Sequence, residues 1–249
     1  AVLAGDHLQL PPTVISKEAE RGGLGRTLFE RLQEMHGEAI GEMLTVQYRM
    51  NEAVMRWSSE ELYSGRLAAA PAVASHTLSG LRGAGAAEVP VLTLVDTTGC
   101  DCEEEEEEDG DESRRNPGEA DAVMAYVREL TAAGVAPGEI GIITPYNGQV
   151  ALLKQMRPES LSGMEISSVD GFQGREKEAI VLSAVRSNDR GDVGFLSDQR
   201  RMNVAVTRAR RHVCLICCVE TLQSEPFLKR LTDYFEANGE YRSAQELLG

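Results

Sequence analysis

Five arginines fall within the fourteen residues "RRMNVAVTRARRHV", 200–213, of a chain whose formal charge is −15. A guanidinium is a forked donor that matches phosphate and carboxylate oxygens, so this density points to anion handling. A helix over 199–210 would place Arg201 and Arg208 seven residues apart on one face, with Val204 and Ala205 between them. That face would bury against a sheet while Arg208 enters a cleft, where an arginine can stabilise charge developing in phosphoryl transfer. For Arg210 and Arg211 the plainer reading is a solvated basic helix face.

Four other stretches carry suitable groups. "GDHLQLPPT" (5–13) turns tightly at Gly5 and Asp6 and offers Gln9, whose amide both donates and accepts, to a phosphate or a water. Pro11 and Pro12 stiffen its exit before Thr13; alone, it reads equally as a loop. In "LTVQYRM" (44–50), Tyr48 can stack on a base and Arg49 can reach a phosphate. "TPYNGQ" (144–149) ends a strand and opens a helix, where hydroxyls and backbone N–H groups suit a sugar–phosphate backbone. An ordinary cap by Thr144 or Asn147 is the alternative. In "SSVDGFQGREKEAIVLSAVRSN" (167–188), Gly171 and Gly174 flank Phe172-Gln173 and allow a sharp turn. Glu176, just before the next apolar run, can take a ribose hydroxyl or simply pair with Arg175 or Lys177.

The elements that must position these groups alternate. Strand-like runs cover 1–5, 91–96, 141–145, 165–169, 179–185 and 212–219; helix-like patterns cover 51–63, 117–133, 147–157, 199–210 and 222–238. Pro117 and Glu119 behind Asn116 mark one helix start, and Gly134 its stop. Strands poor in polar residues, separated by helices, imply an α/β fold with a parallel sheet covered on both faces. Ligands then sit beyond the carboxyl ends of the strands, so the residues just after each apolar run are the candidates.

At 249 residues and 42% hydrophobic content, the chain suits one large domain or two small ones. Nine of its acidic groups lie in "EEEEEEDGDE" (103–112), leaving −6 for the rest, so net charge does not exclude a polyanionic partner. The run reads as a solvated surface loop, or less readily as an element that recruits a basic partner. Arginine outnumbers lysine 21 to 4, which fits anion handling and equally fits genome composition. Of five cysteines, Cys214 and Cys217 form a CxxC inside "HVCLICCVE", a buried-strand pattern; structural thiols are the expectation. No apolar run approaches membrane-spanning length and no signal peptide is seen. The chain begins within an apolar run and without an initiator Met, so a fragment of a longer protein is expected.

In this order, "GDHLQLPPT", "QYRM", "TPYNGQ", "SSVDGFQGREKEAIVLSAVRSN" and "MNVAVTRARR" resemble superfamily 1 helicases of the nonsense-mediated-decay type. The resemblance covers nearly the whole chain; the acidic loop and 66–90 are loose. It implies two RecA-like domains with ATP between them: 1–43 as the tail of the first, and 44–249 as the second with an acidic loop at 99–116. It places Gln9 on the γ-phosphate side, Tyr48 against adenine, Arg49 at the γ-phosphate, Glu176 at the ribose, Gly174 among the ATP-binding residues, and Arg208 as the second arginine finger. Gln9, Arg49 and Arg208 would be the catalytic set. Pro12, Thr13, Thr144, Tyr146, Ser168 and Val169 would touch the backbone of single-stranded DNA or RNA.

The sequence has no GxxxxGK[ST] loop and no DExx-type pair. The phosphate cradle and the Mg²⁺ ligands are therefore expected before residue 1, no metal ligand is expected here, and the isolated chain is expected to be inactive. The resemblance further implies 5′-to-3′ movement, a monomer, ribosome- or tRNA-associated partners, and a place in cytoplasm and nucleus. Two alternatives remain at this point: a truncated, non-enzymatic module binding nucleic acid or protein, and a domain of a helicase–nuclease.

Overall fold

The structure is a computed structural model that describes residues 1–82, 88–105 and 114–249. Two short parallel strands, β1 (Val46–Gln47) and β2 (Ala68–Ala69), stand apart. The main sheet is built from β3 (Leu92–Asp96), β4 (Ile140–Thr144), β5 (Glu165–Ser168), β6 (Lys177–Ser183), β7 (Ala209–Cys217) and β8 (Glu240–Ser243). Its order is β5-β4-β6-β7-β3-β8 and every pairing is parallel. Residues 1–43 give it no strand; they carry α1 (Lys17–Arg21) and α2 (Leu28–His36). Then come α3 (Glu52–Leu62), α4 (Pro71–Ala74), α5 (Leu78–Arg82), α6 (Pro117–Ala132), α7 (Asn147–Met156) and α8 (Gln199–Val206). Last are α9 (Val219–Leu222), α10 (Pro226–Asn238) and α11 (Gln245–Leu248).

Both faces are covered, as the α/β reading requires. Trp57, Met202, Phe227 and Phe235 pack on one face against Leu94, Leu182, Val213 and Leu215. Val123, Leu130, Val150 and Leu153 pack on the other against Ile142, Val181, Cys214 and Ile216. Alternation along a strand sends residues three apart to opposite faces. Cys214 and Cys217 accordingly lie in different cores as free, buried thiols, and cannot converge on a metal or bond to each other. No helix among the described residues is long and apolar enough to cross a membrane.

The start of α6 is as expected: Pro117 occupies its first turn and the Asn116 side chain accepts from Glu119 N. Gly134, at φ +93°, lies just past its end. Three expectations are revised. The apolar run 1–5 is coil, with Val2 97% exposed; it has no strand to pair with among the described residues. The stretch 199–210 is not one helix, because α8 ends at Val206 and β7 begins at Ala209. The helix expected over 222–238 starts later, at Pro226, which opens α10, while Leu222 closes the separate short α9. The polar strand β8 was not foreseen.

The acidic run is also not wholly solvated. Residues 106–112 lie outside the described set, but the Glu104 side chain is only 6% exposed. Its carboxylate accepts from Arg186 Nε (2.9 Å), Arg114 Nη1 (2.8 Å), Asn188 Nδ2 (3.1 Å) and Ser187 N (2.8 Å). Arg186 itself is fully buried and also pairs with Asp192 (2.7 Å). Gly194, at φ +49°, closes this knot: a Cβ there would collide with the Arg186 guanidinium and sit 2.7 Å from Tyr146 Oη.

Removing Glu104 takes a carboxylate from two buried guanidiniums and leaves Arg186 to the half-exposed Asp192. Glu104→Ala should therefore lower stability by about 3–5 kcal/mol, whereas Glu105→Ala, which breaks an exposed pair with Arg115, should cost under ~1 kcal/mol. Urea denaturation of the two variants measures the difference.

His212 on β7 supplies a pH-dependent contribution. Its Nδ1 donates to Pro90 O (2.6 Å), leaving Nε2 3.1 Å from the Tyr126 hydroxyl. Burial pushes the imidazole down to about 4 from its ordinary 6.5. The folded value lies below the unfolded one. The neutral ring's contribution is thus complete above pH 6.5 and is lost as pH falls from 6.5 to about 4. Thermal midpoints from pH 7 to pH 4 should fall more steeply for the native chain than for His212→Gln.

Candidate functional site

The local chemistry starts from the way two strands begin. Lys177 on β6 faces Ala209 on β7, and Lys177 N donates to Arg208 O (3.1 Å). Two residues further along β6, Ala179 faces His212, so β7 carries one extra residue, a β-bulge. Glu176 and Arg208, the residues immediately before these strands, thereby reach the same end of the sheet. Arg49 arrives there from the turn after β1. The Gln47 carboxamide closes that turn, accepting from Arg49 N (2.8 Å) and Met50 N (2.7 Å) and donating to Met50 O (2.8 Å). Asn51 N then donates to Arg210 O (2.8 Å), which fastens the turn to β7.

Three charged groups converge. Arg49 forms an ion pair with Glu176 and donates through Nη1 to Thr207 O (3.3 Å). Arg208 is 3% exposed, and its Nε donates to Val204 O (3.0 Å) and its Nη2 to Thr207 Oγ1 (3.3 Å). Among the described residues Arg208 has no ion-pair partner. Burial, then the nearby Arg49 charge, pushes its guanidinium down to about 10. The Glu176 carboxylate opposes that fall from a distance without pairing; a buried guanidinium with donors to spare is suited to an anion.

The neighbouring arginines are neutralised instead. Arg210 Nη1 lies 3.2 Å from Glu178 Oε1 and Arg211 Nε donates to Glu178 Oε2 (2.5 Å). They belong to β7, so the solvated helix face expected of them is replaced by an ion-paired strand. Arg175 and Lys177 pair with Glu165, which leaves Glu176 to Arg49 and, at 3.9 Å, to Arg210. Gly174 is at φ +79° with open space around it; it serves the backbone turn rather than a close approach. Tyr48 stands 73% exposed beside Arg49. Gln9 is half-buried and donates to Asp6 Oδ2 (2.9 Å).

The residues expected on a single strand fare differently. Thr144 and Tyr146 are completely buried and Val169 is 2% exposed, so none presents its side chain to a ligand. Tyr146 Oη accepts from Arg186 Nη1 (3.3 Å) and its ring packs on Phe195. Neither Thr144 nor Asn147 caps α7, whose N-cap is Tyr146 without a side-chain bond. Ser168 is half-buried at the carboxyl end of β5, where its Oγ accepts from Gly171 N (3.2 Å). Pro12 and Thr13 lie exposed on coil. Glu176 and Arg208 sit before the amino ends of their strands, so the carboxyl-end expectation fails for them.

Sequence reasoning missed Tyr63, Asn203 and Thr207. Asn203 left a trace, a polar residue inside the apolar stripe 202–206; Tyr63 left none. Among the described residues no group of three or more His, Cys, Asp or Glu gathers to hold a metal.

Fold and site together define a parallel α/β domain with a buried arginine at one end of its sheet that has no ion-pair partner among the described residues. Residues 24–220 match the family described as AAA domain, and the chain belongs to that family. It is 54% identical over 250 residues to the DNA-binding protein SMUBP-2 of Rattus norvegicus, covering 99% of this chain and 25% of the relative. It is 38% identical over 244 residues to the DNA polymerase alpha-associated DNA helicase A of Schizosaccharomyces pombe, covering 95% and 36%. It is 36% identical over 242 residues to a Regulator of nonsense transcripts 1 homolog of Arabidopsis thaliana, covering 94% and 19%. These relatives agree with the resemblance drawn from the motifs. The chain spans about a quarter of the length of the first.

An anion bound by the folded state alone raises its stability by mass action. Millimolar pyrophosphate should raise the thermal midpoint of this chain, and Arg208→Ala should abolish the rise; differential scanning calorimetry reads both.

Proposed function

We propose that this chain is the part of an ATP-driven, 5′-to-3′ helicase that supplies arginines to ATP and grips a single strand of DNA or RNA. The observation that carries this reading is Arg208: buried, beside Arg49, and without an ion-pair partner among the described residues. The family match and the helicase named among the relatives support it.

In this reading 1–43 ends a first RecA-like domain and 44–249 forms the second, with ATP against the face that Arg49, Glu176 and Arg208 share. Tyr48 is free to lie on the adenine, and Glu176 and the Gly174 turn take the ribose. Gln9 and the two arginines face the γ-phosphate. A phosphate there competes with Glu176 for Arg49 and gives Arg208 the anion it lacks. The finger then stabilises charge as the terminal phosphoryl group leaves, an effect worth roughly 10³–10⁵ in rate. Loss of the bridging anion after hydrolysis lets the two domains part. Among the described residues no cluster of carboxylates makes a Mg²⁺ site. Strand contact falls to Ser168, Pro12 and Thr13; Thr144, Tyr146 and Val169 support the loops from inside. Phosphate contacts of this kind carry little sequence preference. A monomer working in cytoplasm and nucleus, near ribosome- or tRNA-associated proteins, completes the reading.

The test uses the chain joined to the phosphate-binding half that the proposal requires. Strand-stimulated ATP hydrolysis is expected, and Arg208→Ala should cut turnover by roughly 10³-fold or more while ATP affinity changes far less, since the finger acts mainly in the transition state. Equal loss of both, or no hydrolysis in the joined protein, would sink the assignment.

A further inference from the structure

One polar path in this molecule runs between residues that the function above uses but that do not touch. It begins at Gln9, whose Nε2 donates to Asp6 Oδ2 (2.9 Å). The same oxygen accepts the Tyr63 hydroxyl (2.5 Å), and Asp6 Oδ1 accepts from Leu8 N (3.0 Å). Tyr63 Oη in turn accepts from Asn203 Nδ2 (3.0 Å), which also donates to Leu8 O (2.8 Å). Ser58 Oγ donates to Asn203 Oδ1 (2.7 Å), so the buried amide is satisfied at both ends. Through its own carbonyl Asn203 accepts from Thr207 Oγ1 (2.6 Å), and that hydroxyl is the acceptor for Arg208 Nη2 (3.3 Å). Thr207 O takes Arg49 Nη1 (3.3 Å).

Each link has one sense. Tyr63 gives its proton to Asp6 and receives one from Asn203; Thr207 gives to Asn203 O and receives from Arg208. Burial first, and then the Asp6 carboxylate, push the Tyr63 phenol well above its ordinary value, so the hydroxyl stays a donor. The phenol also lies within electrostatic reach of the Arg208 charge. Asp6, Leu8 and Gln9 belong to the coil before α1, whereas Tyr63 ends α3 and Asn203 lies in α8. The path therefore ties the Gln9 segment to α3 and α8, the helices that flank the two arginines: Arg49 lies just before α3 and Arg208 just after α8.

We propose that Tyr63 is a positioning residue, which sets Arg208 according to where the Gln9 segment lies. The proposal rests on the reading of Arg208 as the finger. When Gln9 moves with a phosphate, Asp6 moves with it, and the Tyr63–Asn203 pair carries that displacement to the Thr207 hydroxyl that steers the guanidinium. A hydroxyl in such a chain matters to turnover without touching nucleotide, and it matters only while Arg208 is present.

The experiment is a double-mutant cycle in the same joined protein, measuring strand-stimulated turnover, Kd for a fluorescent ATP analogue and thermal midpoint. Tyr63→Phe keeps the ring and removes the hydroxyl. The expected result is turnover lowered roughly tenfold, from loss of a hydrogen bond to a charged acceptor, with Kd within about threefold. On an Arg208→Ala background the same change should alter turnover by less than about twofold, the mark of two residues in one path. Tyr234→Phe is the control. Its hydroxyl donates to Ala53 O on the same helix α3 (2.7 Å) but lies off the path, so turnover should hold.

Wild-type turnover in Tyr63→Phe beside a dead Arg208→Ala overturns the proposal and leaves the finger standing. Equal losses from Tyr63→Phe in both backgrounds, with a lowered midpoint, make the hydroxyl merely structural and overturn it as well. An Arg208→Ala protein that still turns over normally removes the finger and the proposal together. Should Tyr63→Phe not fold, Asp6→Ala cuts the path in the half-buried coil and is read by the same cycle against the same outcomes.

Discussion

The register of β6 against β7 is the constraint on which the site depends. Both strands run through the centre of the sheet, and their side chains are fixed by what they bury: Ile180, Leu182, Val213 and Leu215 on one face, Val181, Cys214 and Ile216 on the other. A slip of one residue would invert every one of these, so the core locks the register. The register then dictates that Glu176 and Arg208 emerge side by side. The extra residue in β7 matters as much. In a regular strand Arg210 and Arg211 would point to opposite faces, one of them into the apolar core; the bulge lets both reach Glu178.

Charge is distributed around that frame with a purpose visible in what is left over. Arg186 is buried against Glu104 and Asp192, Arg210 and Arg211 share Glu178, and Arg49 has Glu176. Arg208 alone among these receives only neutral acceptors, a helix carbonyl and a hydroxyl. The formal charge of −15 says nothing of this, because it counts groups and not their pairing. An uncompensated buried cation is costly, and the fold holds it through α8, whose Asp198 cap accepts from Arg200 N and Arg201 N at the far end.

Much of the fold was legible because parallel strands buried on two faces must be largely apolar, as β3, β4, most of β6 and the carboxyl half of β7 are. The Asn116–Pro117–Glu119 start of α6 was legible because its capping chemistry is local. Failures came where tertiary partners decide. The first five residues are apolar enough for a strand but have none to pair with among the described residues. The amino half of β7 is disguised by Arg210 and Arg211, whose polarity is answered by Glu178 across the sheet, far off in sequence. Polar β8 survives because it lies at an edge. At the site, Arg49, Glu176 and Arg208 were readable as charges near element ends. Tyr146 misled because an aromatic hydroxyl looks outward until a buried arginine is found to satisfy it, and Tyr63 was silent because its partners sit on two other segments.

The way residues 1–43 are fastened has a thermodynamic consequence. Their ties to the rest are largely polar: Asp6 to Tyr63, Leu8 to Asn203, and Glu30 to Arg200. Leu10 packs against the larger core, but Val2, Ile15, Leu24, Leu28 and Met35 already face solvent. Releasing this segment would hydrate little fresh apolar surface and so would change the heat capacity little, whereas melting the sheet exposes two apolar cores and carries the large positive change. The two events would then follow stability curves of different curvature. Across moderate temperatures the latch would open and close with nearly constant enthalpy, while the sheet behind it stays folded.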